Sequence, residues 1–288
     1  MNRRKNPIIR VISIILSVVI LVNVVGIALN AFTELSAYKN AVIVNAEEWR
    51  LLSAKMARGE TLTENEYYTV FTQTGLGKSV VENLIRTGNI ATIEYYHNYY
   101  IMKKDVECVR EDFLAHHEYI VDAEGNILEN PRFVDVQNGD ILITLSMHSY
   151  GWRHGHCAIV TDASKGTIAQ AVMVGKPTGY GNLTEWKRFP LVAVLRAKNL
   201  SAEQRAEVAR FVEAHLMGIE YSLFAGVFGG RDMDTIPKST QCAHFIWYAY
   251  KKFGVDIDSN GGTKTTPQDI LKSENLEVIQ VYGNIMEM

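Results

Sequence analysis

The chain has 288 residues, of which 47% are hydrophobic and 21% are charged, the composition of an ordinary packed globular protein. The first 33 residues carry four basic side chains and no acidic one, so a formal net charge of −3 leaves about −7 on the rest of the chain. This mildly acidic body has no basic stripe, which excludes nucleic acid as a partner, because affinity for nucleic acid depends on clustered Lys and Arg side chains that meet phosphates.

Three cysteines, Cys108, Cys157 and Cys242, lie far apart in the sequence. No Cys-x-x-Cys pair exists, so the sequence implies no structural metal, and nothing in it implies an organic cofactor. An odd number of cysteines leaves at least one thiol unpaired in an oxidising compartment, which is a hint of thiol chemistry. A structural secreted domain with a Cys157–Cys242 or Cys108–Cys157 disulfide is one alternative.

Residues 11–33 are uncharged and mostly Ile, Val, Leu or Ala. A helix of this length rises roughly 34 Å, enough to cross a bilayer core of about 30 Å, whereas the apolar core of a signal peptide has only about 7–15 residues. We therefore expect residues 1–33 to be a signal anchor, with a cleaved signal peptide as the alternative. The basic flank should stay cytoplasmic, so the body should be extracytoplasmic, either anchored in the membrane through residues 11–33 or secreted.

Residues 34–130 have a mainly helical pattern. Thr63 with Glu66 three residues later is typical of a helix start, and the apolar spacing in Lys78–Arg86 predicts a second helix. Gly75 to Ser79 look like the end of a phosphate-binding loop, but that motif needs a glycine where the chain has Thr72. Nucleotide binding is therefore excluded.

Residues 131–288 form a third region, in which short apolar runs rich in β-branched residues are bounded by turns. This pattern is typical of an antiparallel β-meander. The runs are residues 141–144, 156–161, 167–172 and 191–195. Two helices are predicted after them, over residues 201–217 with Ser201 as the cap, and over residues 240–254 with Gly254 at the end. The expected fold class is thus α+β, with the meander packed on helices.

Cys242 lies in the first turn of the second of these helices. The free N–H groups and the positive end of the helix dipole stabilise a thiolate there, which lowers the pKa of the cysteine. A nucleophilic cysteine also needs an imidazole base. His156 begins an apolar strand that can hold its ring rigidly, and Gln170 on the following strand would reach the imidazole if the two strands pair antiparallel.

Two other histidines are rival bases. His148 and His154 lie in a polar loop, where a flexible backbone would not hold the imidazole in a fixed position relative to Cys242. His156 is therefore the preferred general base. His244 follows Cys242 by two residues and points away on the helix, which indicates a structural role.

These pieces resemble the permuted branch of the NlpC/P60 papain-like superfamily, which contains the YiiX/YebB-type amidohydrolases. The resemblance covers about residues 137–282 and rests on the order of the pieces, with the histidine strand before the cysteine helix. The pieces are Asn138-Gly139-Asp140-Ile141, His156-Cys157-Ala158-Ile159-Val160, Tyr221-Ser222-Leu223-Phe224, Gln241-Cys242-Ala243-His244-Phe245-Ile246-Trp247, Gly254-Val255-Asp256-Ile257 and Thr266-Pro267-Gln268-Asp269-Ile270-Leu271.

The resemblance implies a circularly permuted papain-like fold with Cys242 as nucleophile, His156 as general base and Gln170 as the group that orients the base. Tyr221 and Gln241 are candidates for contacts with substrate or oxyanion; for Tyr221, core packing is an equal alternative. The chain departs from the family pattern at Cys242-Ala243-His244, because members often have Cys-Ser-Glu at these three positions. It also has Gln170 where members with an acidic third residue would have Glu, and an amide cannot balance imidazolium charge.

The expected function is that of an extracytoplasmic cysteine amidohydrolase or peptidase that cleaves an amide bond. The partner is a peptide or acyl-amide substrate, with cell-wall peptides of peptidoglycan as the natural class. One alternative is another enzyme, an amidase or acyltransferase that acts on acyl lipids or lipoproteins. The other alternative is not an enzyme but a catalytically silent cell-surface binding module of the same fold, which would be consistent with an amide, Gln170, in place of an acidic third residue.

Overall fold

A computed structural model of the chain describes residues 7–37, 44–102, 104–112, 115–149, 152–226 and 232–287. Its helices are α1 (Pro7–Ala37), α2 (Ala46–Ala57), α3 (Glu64–Thr74), α4 (Lys78–Arg86), α5 (Ile90–Tyr100), α6 (Ala202–His215), α7 (Cys242–Lys252) and α8 (Pro267–Leu271), with short 3-10 helices η1 (Leu183–Arg188) and η2 (Ile285–Glu287). Its strands are β1 (Asp105–Arg110), β2 (Ala115–Val121), β3 (Ile141–Thr144), β4 (Met147–Ser149), β5 (Trp152–Arg153), β6 (His156–Asp162), β7 (Thr167–Gln170), β8 (Gly179–Asn182), β9 (Val192–Ala197), β10 (Glu220–Tyr221), β11 (Ser239–Thr240) and β12 (Leu276–Tyr282).

The centre of the fold is a six-stranded antiparallel sheet in the order β12-β9-β3-β6-β7-β8. Four of its strands fall on the predicted apolar runs, so the α+β class and the antiparallel sheet are confirmed. The order differs from a simple meander, because β8 occupies the edge beside β7 and β9 therefore pairs with β3. The second edge is β12, a strand that the sequence analysis did not predict.

Alternating side chains of this sheet support two hydrophobic layers. On one face, Ile143, Cys157 and Ile159 pack with residues of α6 and α7 such as Val212 and Phe245. The other face packs on helices of the N-terminal half of the chain. Successive residues of β6 thus face different layers, which follows from the period-two alternation of a strand.

Helices α2 to α5 cover the second face of the sheet. Trp49, Val81 and Ile93 from these helices share a core with Leu142 and Val160 of β3 and β6. The region predicted as mainly helical, residues 34–130, also contains the hairpin of β1 and β2. That hairpin pairs with β4 and β5 in a separate four-stranded sheet. The N-terminal region therefore contributes both helices and strands to the packing around the central sheet.

Two predicted helix starts are confirmed as capping boxes. The Thr63 hydroxyl accepts from the N–H of Glu66, whose carboxylate accepts from the N–H of Thr63 at 2.7 Å. Ser201 and Gln204 make the same reciprocal pair at the start of α6. Each box satisfies two backbone donors that a helix N-terminus would otherwise leave without partners.

A buried ion pair fixes the start of β3 against β9. Arg196 donates to both carboxylate oxygens of Asp140, at 2.8 and 2.7 Å, and Asp140 is fully buried. Gly139 precedes it with φ of +88°, and a β-carbon at this position would clash with the backbone of Arg205. The turn therefore requires glycine both for its left-handed backbone and for the close approach of α6.

The transmembrane segment predicted over residues 11–33 is the part of the predicted fold class that is wrong. Among the residues that the structure describes, no helix combines the length and apolar character needed to cross a membrane. Residues 27 and 29–33 of the predicted segment lie outside the described side chains.

Candidate active site

Cys242 is the first residue of α7, as the sequence predicts. The preceding residue, Gln241, caps the helix: its Oε1 accepts from the N–H of Ala243 at 2.9 Å, and its Nε2 donates to the carbonyl of Thr265 at 2.7 Å. The cap anchors the helix start to the segment before α8. It places the Cys242 sulfur in the helix turn where backbone N–H groups and the dipole favour negative charge.

His156 begins β6 and lies on the same face of the sheet as Gln170. Strands β6 and β7 pair antiparallel with Ala158 opposite Gln170, so Gln170 is the diagonal neighbour of His156. The imidazole Nε2 donates to Oε1 of Gln170 at 2.9 Å. This hydrogen bond keeps the proton on Nε2, and it leaves Nδ1 as the ring nitrogen for the hydrogen bond that His156 makes with the side chain of Cys242.

The electrostatics of the pair favour separated charges. The hydrogen bond from Cys157 lowers the pKa of Cys242 well below that of an ordinary thiol; burial opposes this, and the hydrogen bond and charge of His156 lower it further. Burial works to lower the pKa of His156, but the hydrogen bond and charge of Cys242, with the hydrogen bond to Gln170, outweigh burial and raise it. Both shifts act in the direction that favours a thiolate–imidazolium pair.

Cys157 is a second thiol at this site, which the sequence analysis assigned only to the opposite side of the strand. That side is the one on which α7 packs, so the Cys157 side chain contacts the Cys242 sulfur through a hydrogen bond. Cys157 is fully buried, and burial raises the pKa of its thiol well above the ordinary value. It therefore stays protonated, as a donor available to the Cys242 sulfur.

Tyr221 lies on the strand that pairs with the segment leading into α7. It ends β10, which pairs in parallel with β11 so that Tyr221 is level with Thr240, two residues before Cys242. Burial raises the pKa of its hydroxyl, and negative charge on Cys242 and Cys157 raises it further. Tyr221 thus keeps its hydroxyl proton. Gln241, the other predicted contact for substrate or oxyanion, presents its Oε1 to the Cys242 sulfur at 3.5 Å and so offers an acceptor there.

The rival histidines are engaged elsewhere. His148 lies in β4, and its Nε2 bonds the buried carboxylate of Glu118 at 3.0 Å. The Nδ1 of His154 donates to the carbonyl of Gly155 at 2.7 Å, and its Nε2 bonds the hydroxyl of Ser149 at 2.9 Å. Burial lowers the pKa of His154, which keeps that ring neutral. Of these three histidines, His156 is the one that bonds Cys242.

Two supporting residues were missed from the sequence. Trp186 of η1 stacks on the His156 ring with centroids 5.6 Å apart and planes 25° apart, and it is almost fully buried. Gly181 of β8 lies against the Gln170 amide so closely that a β-carbon would displace it. Both residues come from a segment with little regular pattern, where only the tryptophan itself signals a buried position.

Nothing in the described part of the chain resembles a metal centre: no group of three or more His, Cys, Asp or Glu side chains there is arranged to hold an ion. Cys108, Cys157 and Cys242 are all thiols rather than disulfides. His244, predicted to be structural, is buried and bonds the Thr240 hydroxyl at 3.0 Å.

The chain matches no protein-family model and no curated protein. The crystal structure of the metalloprotein YiiX from Escherichia coli O157:H7 is similar over 50% of this chain and 96% of that chain, at 17% sequence identity and a TM-score of 0.38. This likeness is weak and partial. The contacts around Cys242, and not the likeness, support a function for this chain.

Proposed function

We propose that the chain is a cysteine amidohydrolase that cleaves an amide bond in a peptide, with Cys242 as nucleophile and His156 as general base. The observation that supports this is the continuous set of hydrogen bonds from Cys242 through His156 to Gln170 at the start of α7. A nucleophile, a base and a group that orients the base are the three parts that acyl-transfer sites share.

The reaction follows from the charges of the pair. The Cys242 thiolate attacks the carbonyl carbon of the amide, and the imidazolium of His156 gives its Nδ1 proton to the leaving amine. A thioester to Cys242 remains. His156, now neutral, takes a proton from water, whose oxygen attacks the thioester and releases the acid and the thiolate.

In this proposal two donors hold the oxyanion. The backbone N–H of Cys242 lies in the open first turn of α7, where N–H groups have no intrahelical acceptor. The Tyr221 hydroxyl is protonated, and Tyr221 is level with Thr240, two residues before Cys242. Donors fixed before the reaction stabilise the tetrahedral intermediate without reorganisation, which makes them the largest single contribution in many acyl-transfer enzymes.

Gln170 orients the imidazole but carries no charge. A carboxylate at this position would stabilise the imidazolium further, so the charge on His156 is balanced chiefly by the Cys242 thiolate. This arrangement suits an enzyme whose resting state is the ion pair. It also explains why the absence of an acid does not by itself make the site silent.

The proposed substrate class is the peptide crosslinks of a cell wall. Such a substrate lies outside the cytoplasmic membrane, so export of the chain belongs to the proposal. Fractionation of cells that express a tagged chain tests the export, which predicts the tag in the medium or periplasm. Retention of the tag in the cytoplasm contradicts a cell-wall substrate but does not bear on cleavage of amide bonds.

A second candidate function, hydrolysis or transfer of an acyl group, is favoured by apolar side chains beside the site. Leu223 and Phe224 follow Tyr221 and are 55% and 64% exposed. Met173 and Val174 follow Gln170 and are also exposed. The two segments are tied together, since the N–H of Thr178 donates to the carbonyl of Ile219 at 2.8 Å. Exposed apolar surface of this kind indicates contact with another apolar group.

The test is hydrolysis by the full-length chain of crosslinked peptidoglycan fragments and of N-acyl amides, with release of a new amine as the readout. Cys242→Ala should abolish release, and Cys108→Ala, which changes an exposed cysteine on β1, should not. Faster turnover of N-acyl amides would select the second candidate, and Phe224→Ser should then slow that substrate alone. No release from any substrate, with an unreactive Cys242, would indicate the silent binding module.

A further inference from the structure

A second thiol lies in the same buried layer as Cys242. Cys157 projects from the face of β6 against which α7 packs, in the hydrophobic cluster that also holds Cys242, although the two cysteines are 85 positions apart in the sequence. The pKa of each thiol is shifted by the other, as is expected of neighbouring sulfurs. Amide hydrolysis as proposed here needs no second sulfur.

The two thiols differ in access to solvent. Cys242 is 7% exposed, whereas Cys157 has no exposed surface and pairs through its backbone with Ile143 in the middle of the sheet. A small reagent that enters from solvent therefore meets Cys242 first. Cys157 is shielded from solvent and lies in the same cluster as Cys242. This is the arrangement of an attacking and a resolving cysteine in thiols that sense oxidants.

We propose that Cys242 and Cys157 form a reversible oxidation site, in which a peroxide oxidises Cys242 and Cys157 then closes a disulfide with it. In the first step the Cys242 thiolate attacks one oxygen of the peroxide, the O–O bond breaks, and Cys242 becomes a sulfenic acid while hydroxide or alkoxide leaves. In the second step the Cys157 sulfur attacks the Cys242 sulfur, the S–O bond breaks, and the hydroxide leaves as water with the Cys157 proton. Cys242 and Cys157 together lose two electrons, which the peroxide gains.

The disulfide has two consequences for the site. It removes the lone pair that attacks the substrate and ends the hydrogen bond between Cys242 and His156, so the oxidised protein is inactive. It also stops further oxidation, because a sulfenic acid that finds no thiol goes on to the sulfinic acid, which ordinary thiols do not reduce. A dithiol restores both thiols by exchange. The inference requires a reactive Cys242 but not the proposed amide chemistry.

The experiment treats the full-length protein with hydrogen peroxide and maps its cysteines by mass spectrometry without reduction. In the wild type we expect a peptide pair linked between Cys157 and Cys242, lighter by two hydrogen atoms, together with loss of Cys242 alkylation by iodoacetamide. Dithiothreitol should restore that alkylation to its starting value. Cys108→Ala should behave as the wild type does.

Cys157→Ala and Cys157→Ser remove the second thiol, and serine keeps the size and the hydrogen-bond donor. In both variants Cys242 should gain two oxygen atoms, and dithiothreitol should restore none of its alkylation. A wild type that accumulates the sulfinic acid without a linked pair, or Cys157 variants that recover as fully as the wild type, would overturn the inference. Failure of the proposed function would appear differently, as a linked pair in a protein that releases no amine.

Discussion

The imidazole of His156 and the side-chain amide of Gln170 are joined by a 2.9 Å hydrogen bond across the antiparallel pair β6 and β7. Register alone brings them together, because Gln170 lies opposite Ala158 and projects from the same face as His156. The bond assigns the Nε2 proton, because Oε1 of Gln170 can only accept, and leaves Nδ1 free of Gln170. In the proposed mechanism the neutral amide therefore does the orienting part of what a carboxylate does in acyl-transfer sites.

Replacement of Gln170 should slow the reaction without unfolding the protein. A neutral hydrogen bond contributes about 0.5–1.5 kcal/mol, so we expect kcat/KM of Gln170→Ala to fall by up to about tenfold. Hydrolysis of the best substrate measures this. The control is Gln204→Ala, which removes one of the two hydrogen bonds of the capping box of α6 and should lower the melting temperature instead. An unchanged kcat/KM in Gln170→Ala contradicts the orienting role.

Gly181 offers a way to move the Gln170 amide without deleting it. A β-carbon on Gly181 would overlap Nε2 of Gln170, the far end of a flexible side chain, so Gly181→Ala should push the amide off His156 and reproduce the loss of Gln170→Ala. Gly179→Ala on the same strand meets only the carbonyl of Pro177, at 3.8 Å, and should be neutral. Combining Gly181→Ala with Gln170→Ala should give no further loss in kcat/KM, and an additive loss would show that Gly181 acts through another contact.

The pH profile of kcat/KM should be bell-shaped. Because the pKa of Cys242 is lowered, activity should persist below the pH at which ordinary thiols protonate and be lost as the pH falls through that pKa. Because the pKa of His156 is raised, imidazolium should remain available above its ordinary range and be lost as the pH rises through that pKa. The bond to Gln170 helps raise the pKa of His156, so Gln170→Ala should shift the upper limb to lower pH. An upper limb that does not move contradicts this assignment.

Asp140 and Arg196 should be essential for stability and not for chemistry. Asp140→Asn removes the fully buried one of the two carboxylates that pair with Arg196, the other being the part-exposed Asp135, so we expect the free energy of unfolding to fall by up to about 3–5 kcal/mol. Denaturation by urea measures the change. Asp162→Asn breaks a pair with the largely exposed Lys165 and should cause a much smaller loss. Equal losses in the two variants would mean that the buried pair is not specially stabilising.

The parts of the fold that local sequence determines were predicted well. The cap at Thr63, helix α4 and the start of α7 depend on residues within one or two helical turns, and the apolar runs of β3, β6 and β9 show their burial directly. Strand β8 was not predicted because Gly179 and Gly181 give it no strand pattern. Hairpin β1–β2 is partly exposed and rich in charged residues and histidine, so it lacks the alternation that marks a strand.

The candidate site likewise has one part that the sequence predicts and one part that it does not. The partnership of His156 with Gln170 follows from strand register, which the sequence predicts once the two strands are assumed to pair. The contacts of Cys157 with Cys242 and of Trp186 with His156 depend on how α7 and η1 seat on the sheet. That seating is decided by packing between residues distant in sequence, for which one sequence carries no local signal.

The central claim is that His156 holds Cys242 as a reactive thiolate. The most direct measurement is the rate of iodoacetamide alkylation at each cysteine against pH, in the wild type and in His156→Ala, with the exposed Cys108 as an internal reference thiol. We predict that Cys242 of the wild type reacts well below the pH at which Cys108 begins to react, and that His156→Ala moves its midpoint up towards that of Cys108. A Cys242 that is inert, or whose pH profile is the same with and without His156, contradicts the claim.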